Sequence, residues 1–62
     1  MQVFTGSQAK SMMDSDKVPM NSIGVFKSEE GWVYWYWDEH IWDTGVKKRE
    51  ELALRTAKLN IR

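Results

Sequence analysis

Six consecutive residues, Trp32-Val33-Tyr34-Trp35-Tyr36-Trp37, are all aromatic or β-branched, a run longer than any helical stripe allows. A strand accommodates it, because alternate side chains then point to opposite faces of a sheet. Both faces of that strand are apolar. A chain of 62 residues forms one domain at most and buries only ~60% of its unfolded surface, so covering both faces is its main structural problem.

The residues on either side supply partners. Ile23-Gly24-Val25-Phe26-Lys27-Ser28 reads as a preceding strand, and Glu29-Glu30-Gly31 fits a three-residue hairpin loop with Gly31 in the left-handed position. That loop pairs Ser28 with Trp32, Phe26 with Tyr34 and Gly24 with Tyr36. After Asp38-Glu39-His40, Ile41-Trp42-Asp43 reads as a short third strand, and Asp43-Thr44-Gly45 as capping before a helix. Val46 to Arg62 contains no Gly or Pro and reads as that helix, with Val46, Ala53, Leu54, Ala57 and Ile61 on one face.

This register predicts one face made of Ile23, Val25, Val33, Trp35 and Trp37, joined by Trp42. Lacking hydroxyls, it is the expected core under the helix. The other face holds Phe26, Trp32, Tyr34 and Tyr36, with Ile41 on the same side, and is expected to stay open. Residues 1–21 have no sustained period and read as a flexible or loosely packed arm ending at Val18-Pro19, ahead of one domain over 22–62. The alternative use of the arm is to cover the second face with Val3, Phe4 or the methionines. The expected fold is α+β: a three-stranded antiparallel meander with one C-terminal helix packed on one face.

Catalytic chemistry finds few residues to use. There is no cysteine and one histidine, His40, so Asp38, Glu39, His40 and Asp43 lack the partners for a closed zinc shell and read as a solvated acidic turn. The four glycines are isolated, so no phosphate-binding loop is present. We expect no enzyme activity, no metal and no cofactor. The first residues show neither a basic region nor an apolar stretch of the secretory kind, and no run reaches the ~18 apolar residues of a membrane span. The expected location is the cytoplasm.

Charge divides the chain although its net value is zero. Glu29, Glu30, Asp38, Glu39 and Asp43 make residues 28–45 wholly acidic among charged groups, whereas Lys47, Lys48, Arg49, Arg55, Lys58 and Arg62 outnumber Glu50 and Glu51 in 46–62. An acidic rim around an aromatic sheet suits a basic protein partner, because complementary charge steers association and Trp and Tyr are frequent hot-spot anchors.

The residues Val25-Phe26-Lys27, Gly31 to Tyr36 and Thr44 to Ala53 together resemble the amino-terminal arm-site-binding domain of phage tyrosine integrases and, more distantly, the plant AP2 domain. The resemblance covers residues 22–61 and implies three antiparallel strands followed by a helix. It also implies DNA binding through basic side chains on the strands, and a phage or mobile-element origin. Here only Lys27 lies on a predicted strand. The first functional reading is therefore a non-enzymatic regulator or inhibitor that binds a protein through Phe26, Trp32, Tyr34, Tyr36 and Ile41. The second is a DNA-binding accessory domain with phosphate contacts from Lys27, Lys47, Lys48 and Arg55. The third is a homodimeric structural module.

Overall fold

Strand β3 (Gly31–Trp37) is the long aromatic run, and it lies second from one edge of a four-stranded sheet. The computed structural model describes residues 1–38 and 42–61. Along the chain the elements are β1 (Gln2–Thr5), α1 (Gly6–Ser15), β2 (Ser22–Ser28), β3, β4 (Trp42–Lys47) and α2 (Glu50–Asn60). The strand order is β1-β2-β3-β4, with β1 parallel to β2 and the other two pairs antiparallel. The fold is α+β, but among the described residues the sheet is mixed and has four strands, and there are two helices where one was expected.

The stretch expected to be a flexible arm supplies β1 and α1. A parallel pair needs a crossover of about a dozen residues or more, and α1 with the segment to Asn21 provides it. Within α1, Ala9, Met12 and Met13 stand at i, i+3 and i+4 and turn toward the sheet. Asp16 ends the helix with φ 59°, a left-handed conformation that Asp tolerates better than most residues. The Cα radius of gyration is 10.2 Å, close to the value of about 10.6 Å for a compact chain of this length.

The hairpin between β2 and β3 turns over two residues, not three. Ser28 pairs with Gly31, so Phe26 meets Val33, Val25 meets Tyr34 and Gly24 meets Trp35. No residue of the Glu29-Glu30 turn has a positive φ; Gly31 does, at 135°, so the glycine adjusts the strand entry. This one-residue shift exchanges the partners of β2 between faces. Ile23 and Val25 lie with Tyr34 and Tyr36, whereas Gly24 and Phe26 lie with Val33 and Trp35.

β4 is also longer than the predicted third strand. It pairs Trp37 with Trp42, Tyr36 with Asp43, Tyr34 with Gly45 and Trp32 with Lys47. Running on past Asp43, β4 gives the outward backbone groups of Trp32 and Tyr34 partners in Lys47 and Gly45, and the helix starts later than Val46. The later start has a second effect. Lys47, Lys48 and Arg49 stay outside α2, and Glu50 and Glu51 occupy its first turn, where the helix dipole favours negative charge.

The two helices cover opposite faces. α1 packs over β1 and β2, and α2 packs over β2, β3 and β4. Under α1 the core holds Ala9, Phe26 and Trp35 with Phe4, Met12, Met13 and Val18 against them. Under α2 it holds Ile23, Tyr36 and Ala57 with Tyr34, Leu54 and Ile61. The C-terminal helix thus covers the tyrosine face, not the Trp35 face expected of it. Each helix meets the sheet through fully buried alanines (Ala9 in α1, Ala53 and Ala57 in α2), while the strands contribute the bulk.

Candidate binding surface

Trp35 has no exposed surface and anchors the α1 side of the sheet. Its indole lies across Gly24, where any Cβ would collide with the ring. Its Nε1–H donates to the Ala9 carbonyl at 2.9 Å, and Phe4 stacks on it with centroids 6.3 Å apart. One indole therefore ties β1, α1, β2 and β3 together. Trp42 packs against Trp35 at 5.7 Å and against Trp37 at 5.8 Å.

Beyond Trp35 no helix among the described residues covers the same face. α1 packs over β1 and β2 and reaches β3 at Trp35 through Ala9. Val33, Trp37 and Trp42 are half-buried there, Thr44 is exposed, and Val46 is 42% exposed. The registers place Gln2, Phe4, Ser22, Gly24, Phe26, Ser28 and Gly31 on this side as well, so no strand residue of the face carries a charge. Asp16, Val18, Trp37 and Trp42 line a shallow cavity of about 110 Å³ at one end of the open half. That end pairs two indoles with a carboxylate.

The residues expected to form one aromatic platform are divided between the two sides. Phe26 is buried under α1. Tyr36 is buried under α2 and only 6% exposed; its hydroxyl donates to Asp43 Oδ2 at 3.3 Å. Burial pushes the Tyr36 pKa above its ordinary value near 10, and the negative charge of Asp43 adds to the effect. Tyr34 is half-buried, with its ring parallel to that of Tyr36 at 6.4 Å and its hydroxyl close over Gly45. Trp32 is half-buried at the hairpin end of the α2 side. Ile41, with Glu39 and His40, lies outside the described residues.

The basic residues separate similarly. Lys27 and Lys47 are the direct cross-strand neighbours of Trp32 on its two sides, and Lys27 Nζ stands 6.0 Å from the Trp32 ring centroid. Lys47 is thus a second strand lysine, because β4 runs past Val46, the expected start of the helix. Lys48 follows in the bend, and Arg55 is exposed on α2 away from the buried Ala53 and Ala57.

Val46 and Thr44 are surface residues that the sequence reading placed in the helix and its cap. The signal for them is the alternation Trp42, Thr44, Val46, which continues the pattern of β3. Among the described residues, no group of three His, Cys, Asp or Glu side chains is placed to hold a metal ion, and no helix is long and apolar enough to cross a membrane. Compared with known proteins, the chain matches no family model, no curated protein and no solved structure.

Proposed function

We propose that this chain is a non-enzymatic protein-binding module whose contact surface is the open half of the α1 side: Val33, Trp37, Trp42, Thr44 and Val46. The observation that supports it is the mismatch in coverage. α2 spans three strands on its side, whereas α1 packs over two on the other, reaches β3 only at Trp35, and among the described residues leaves an uncharged aromatic area without a helix over it. Exposed contiguous apolar patches are unusual on monomers and commonly mark interaction sites. The Trp37–Trp42 cavity with Asp16 on its rim suits an apolar anchor followed by a Lys or Arg.

A second reading has its own observation. Trp32 between Lys27 and Lys47, with Lys48 next, pairs a stacking surface with positive charge, which suits single-stranded nucleic acid or the DNA contacts implied by the integrase resemblance. It ranks lower because Glu29, Glu30, Glu50 and Glu51 adjoin the same end.

Capture from cells of origin decides between them. Val46→Asp is expected to fold like the wild type and to lose the retained protein. Lys27→Gln with Lys47→Gln is expected to leave retention unchanged. Loss only with the lysine variant, together with nuclease-sensitive retention, would favour the second reading.

A further inference from the structure

From the β4 edge we infer that this protein self-associates as a two-fold dimer, with β4 pairing antiparallel to β4 of a second copy about Gly45. The inference does not depend on what the open face binds. β4 is the last strand of the sheet, so one side of its backbone has no neighbouring strand among the described residues. Ser28 and Gly31 close the hairpin, and hydrogen-bonded and non-hydrogen-bonded positions alternate from there. Val33, Trp35 and Trp37 thus bond β2, whereas Trp32, Tyr34 and Tyr36 bond Lys47, Gly45 and Asp43 of β4. The N–H and C=O groups of Trp42, Thr44 and Val46 consequently point outward. The Thr44 N–H agrees: its acceptor is not β3 but Asp43 Oδ1, at 2.8 Å.

Charge identifies the occupant. Asp43 and Lys47 stand two residues either side of Gly45, both exposed and both on the α2 side of the sheet. Antiparallel pairing about Gly45 sets each Asp43 directly opposite Lys47 of the partner subunit. It does so at a non-hydrogen-bonded position, where cross-strand side chains come closest. Thr44 and the partner subunit's Val46 exchange backbone hydrogen bonds, and the two-fold axis repeats every contact. The Thr44 N–H leaves its own Asp43, and Oδ1 of that carboxylate turns to the lysine across the interface while Oδ2 keeps the Tyr36 hydroxyl. The opposite edge, β1, is four residues long and carries no charge to set a register. The paired sheets have eight strands, and the open faces of both copies lie on the same side as one continuous surface.

A five-residue edge is a small interface, so association belongs to the weak class and is read over a concentration series up to about 1 mM. Light scattering or sedimentation should show the wild-type mass rising from 7.3 kDa toward twice that value. Asp43→Lys and Lys47→Asp should each weaken the dimer at least about tenfold, because each sets like charges opposite one another. An equimolar mixture of the two variants should recover the dimer, since every unlike pair is then restored. Thr44→Pro, which removes an outward N–H at an edge where proline is tolerated, should be monomeric; it tests the pairing if Asp43→Lys fails to fold after losing its Tyr36 contact. A wild type monomeric throughout, variants that dimerise as well as the wild type, or a mixture of folded variants that stays monomeric would each overturn the inference.

Discussion

At the scale of single residues, Trp35 and Tyr36 are neighbours with opposite tasks, one held by α1 and the other by α2. Trp35 fills its site through shape and one hydrogen bond to Ala9. Trp35→Ala should cost ~3–5 kcal/mol, enough to unfold a domain this small, and Gly24→Ala should also destabilise by forcing the indole from its seat. Urea melts followed by circular dichroism check both. Tyr36 makes a prediction in pH. Its folded pKa lies above the unfolded value near 10, so the folded state holds the proton longer. The associated stability is complete below about pH 10 and falls as pH rises through the folded value. Tyr36→Phe should flatten that alkaline loss in a melting-temperature series; an unchanged slope would assign the loss to other groups. Burial of Trp35 was legible because it lacks a hydroxyl and sits mid-strand. Burial of Tyr36 was not, since alternation marks an outside only where one face of a strand meets water.

At the scale of elements, the hairpin and both of its strands were readable from aromatic and β-branched composition, and the register was not. Glu29-Glu30-Gly31 fits a two- or a three-residue turn, and local residue types do not choose between them. Packing does, by placing Gly24 under Trp35. The first helix was hidden for a different reason. Its polar residues are solvent-facing, its sheet-facing stripe is only Ala9, Met12 and Met13, and the strand before it, β1, pairs in parallel with β2, about twenty residues away in sequence. Small residues at the helix contacts let both helices approach the broad aromatic sheet closely. Ala57→Leu should therefore overpack the Ile23–Tyr36 side and cost about 1–3 kcal/mol, although leucine is a good helix former. Leu59→Ala, at a site 73% exposed, should change stability by less than about 0.5 kcal/mol. Thermal melts of the two variants side by side separate contact from propensity.

At the scale of the whole molecule, a sheet with two apolar faces explains why so short a chain has two helices. Each covers what the other cannot, and the amino-terminal segment belongs to the core. The basic carboxy-terminal third and the acidic middle, prominent in the sequence, are separated in space less than in sequence, because β4 sets Lys47 opposite Trp32 at the Glu29-Glu30 end of the hairpin. Residues 22–62 alone keep β2, β3, β4 and α2, with Ile23, Tyr36 and Ala57 still packed together. They lose everything over Trp35 and Phe26: Phe4, Ala9, Met12 and Met13. A chain shortened to 22–62 should therefore bind a hydrophobic dye and lose its near-ultraviolet aromatic signal while retaining far-ultraviolet structure, the behaviour of a collapsed but unpacked state. Adding a peptide of residues 1–21 should reverse both changes, because β1 supplies backbone bonds to β2 and α1 supplies the cover. If 22–62 instead melts as sharply as the full chain and binds no dye, the first 21 residues are an appendage, and the three strands with α2 are a domain in their own right.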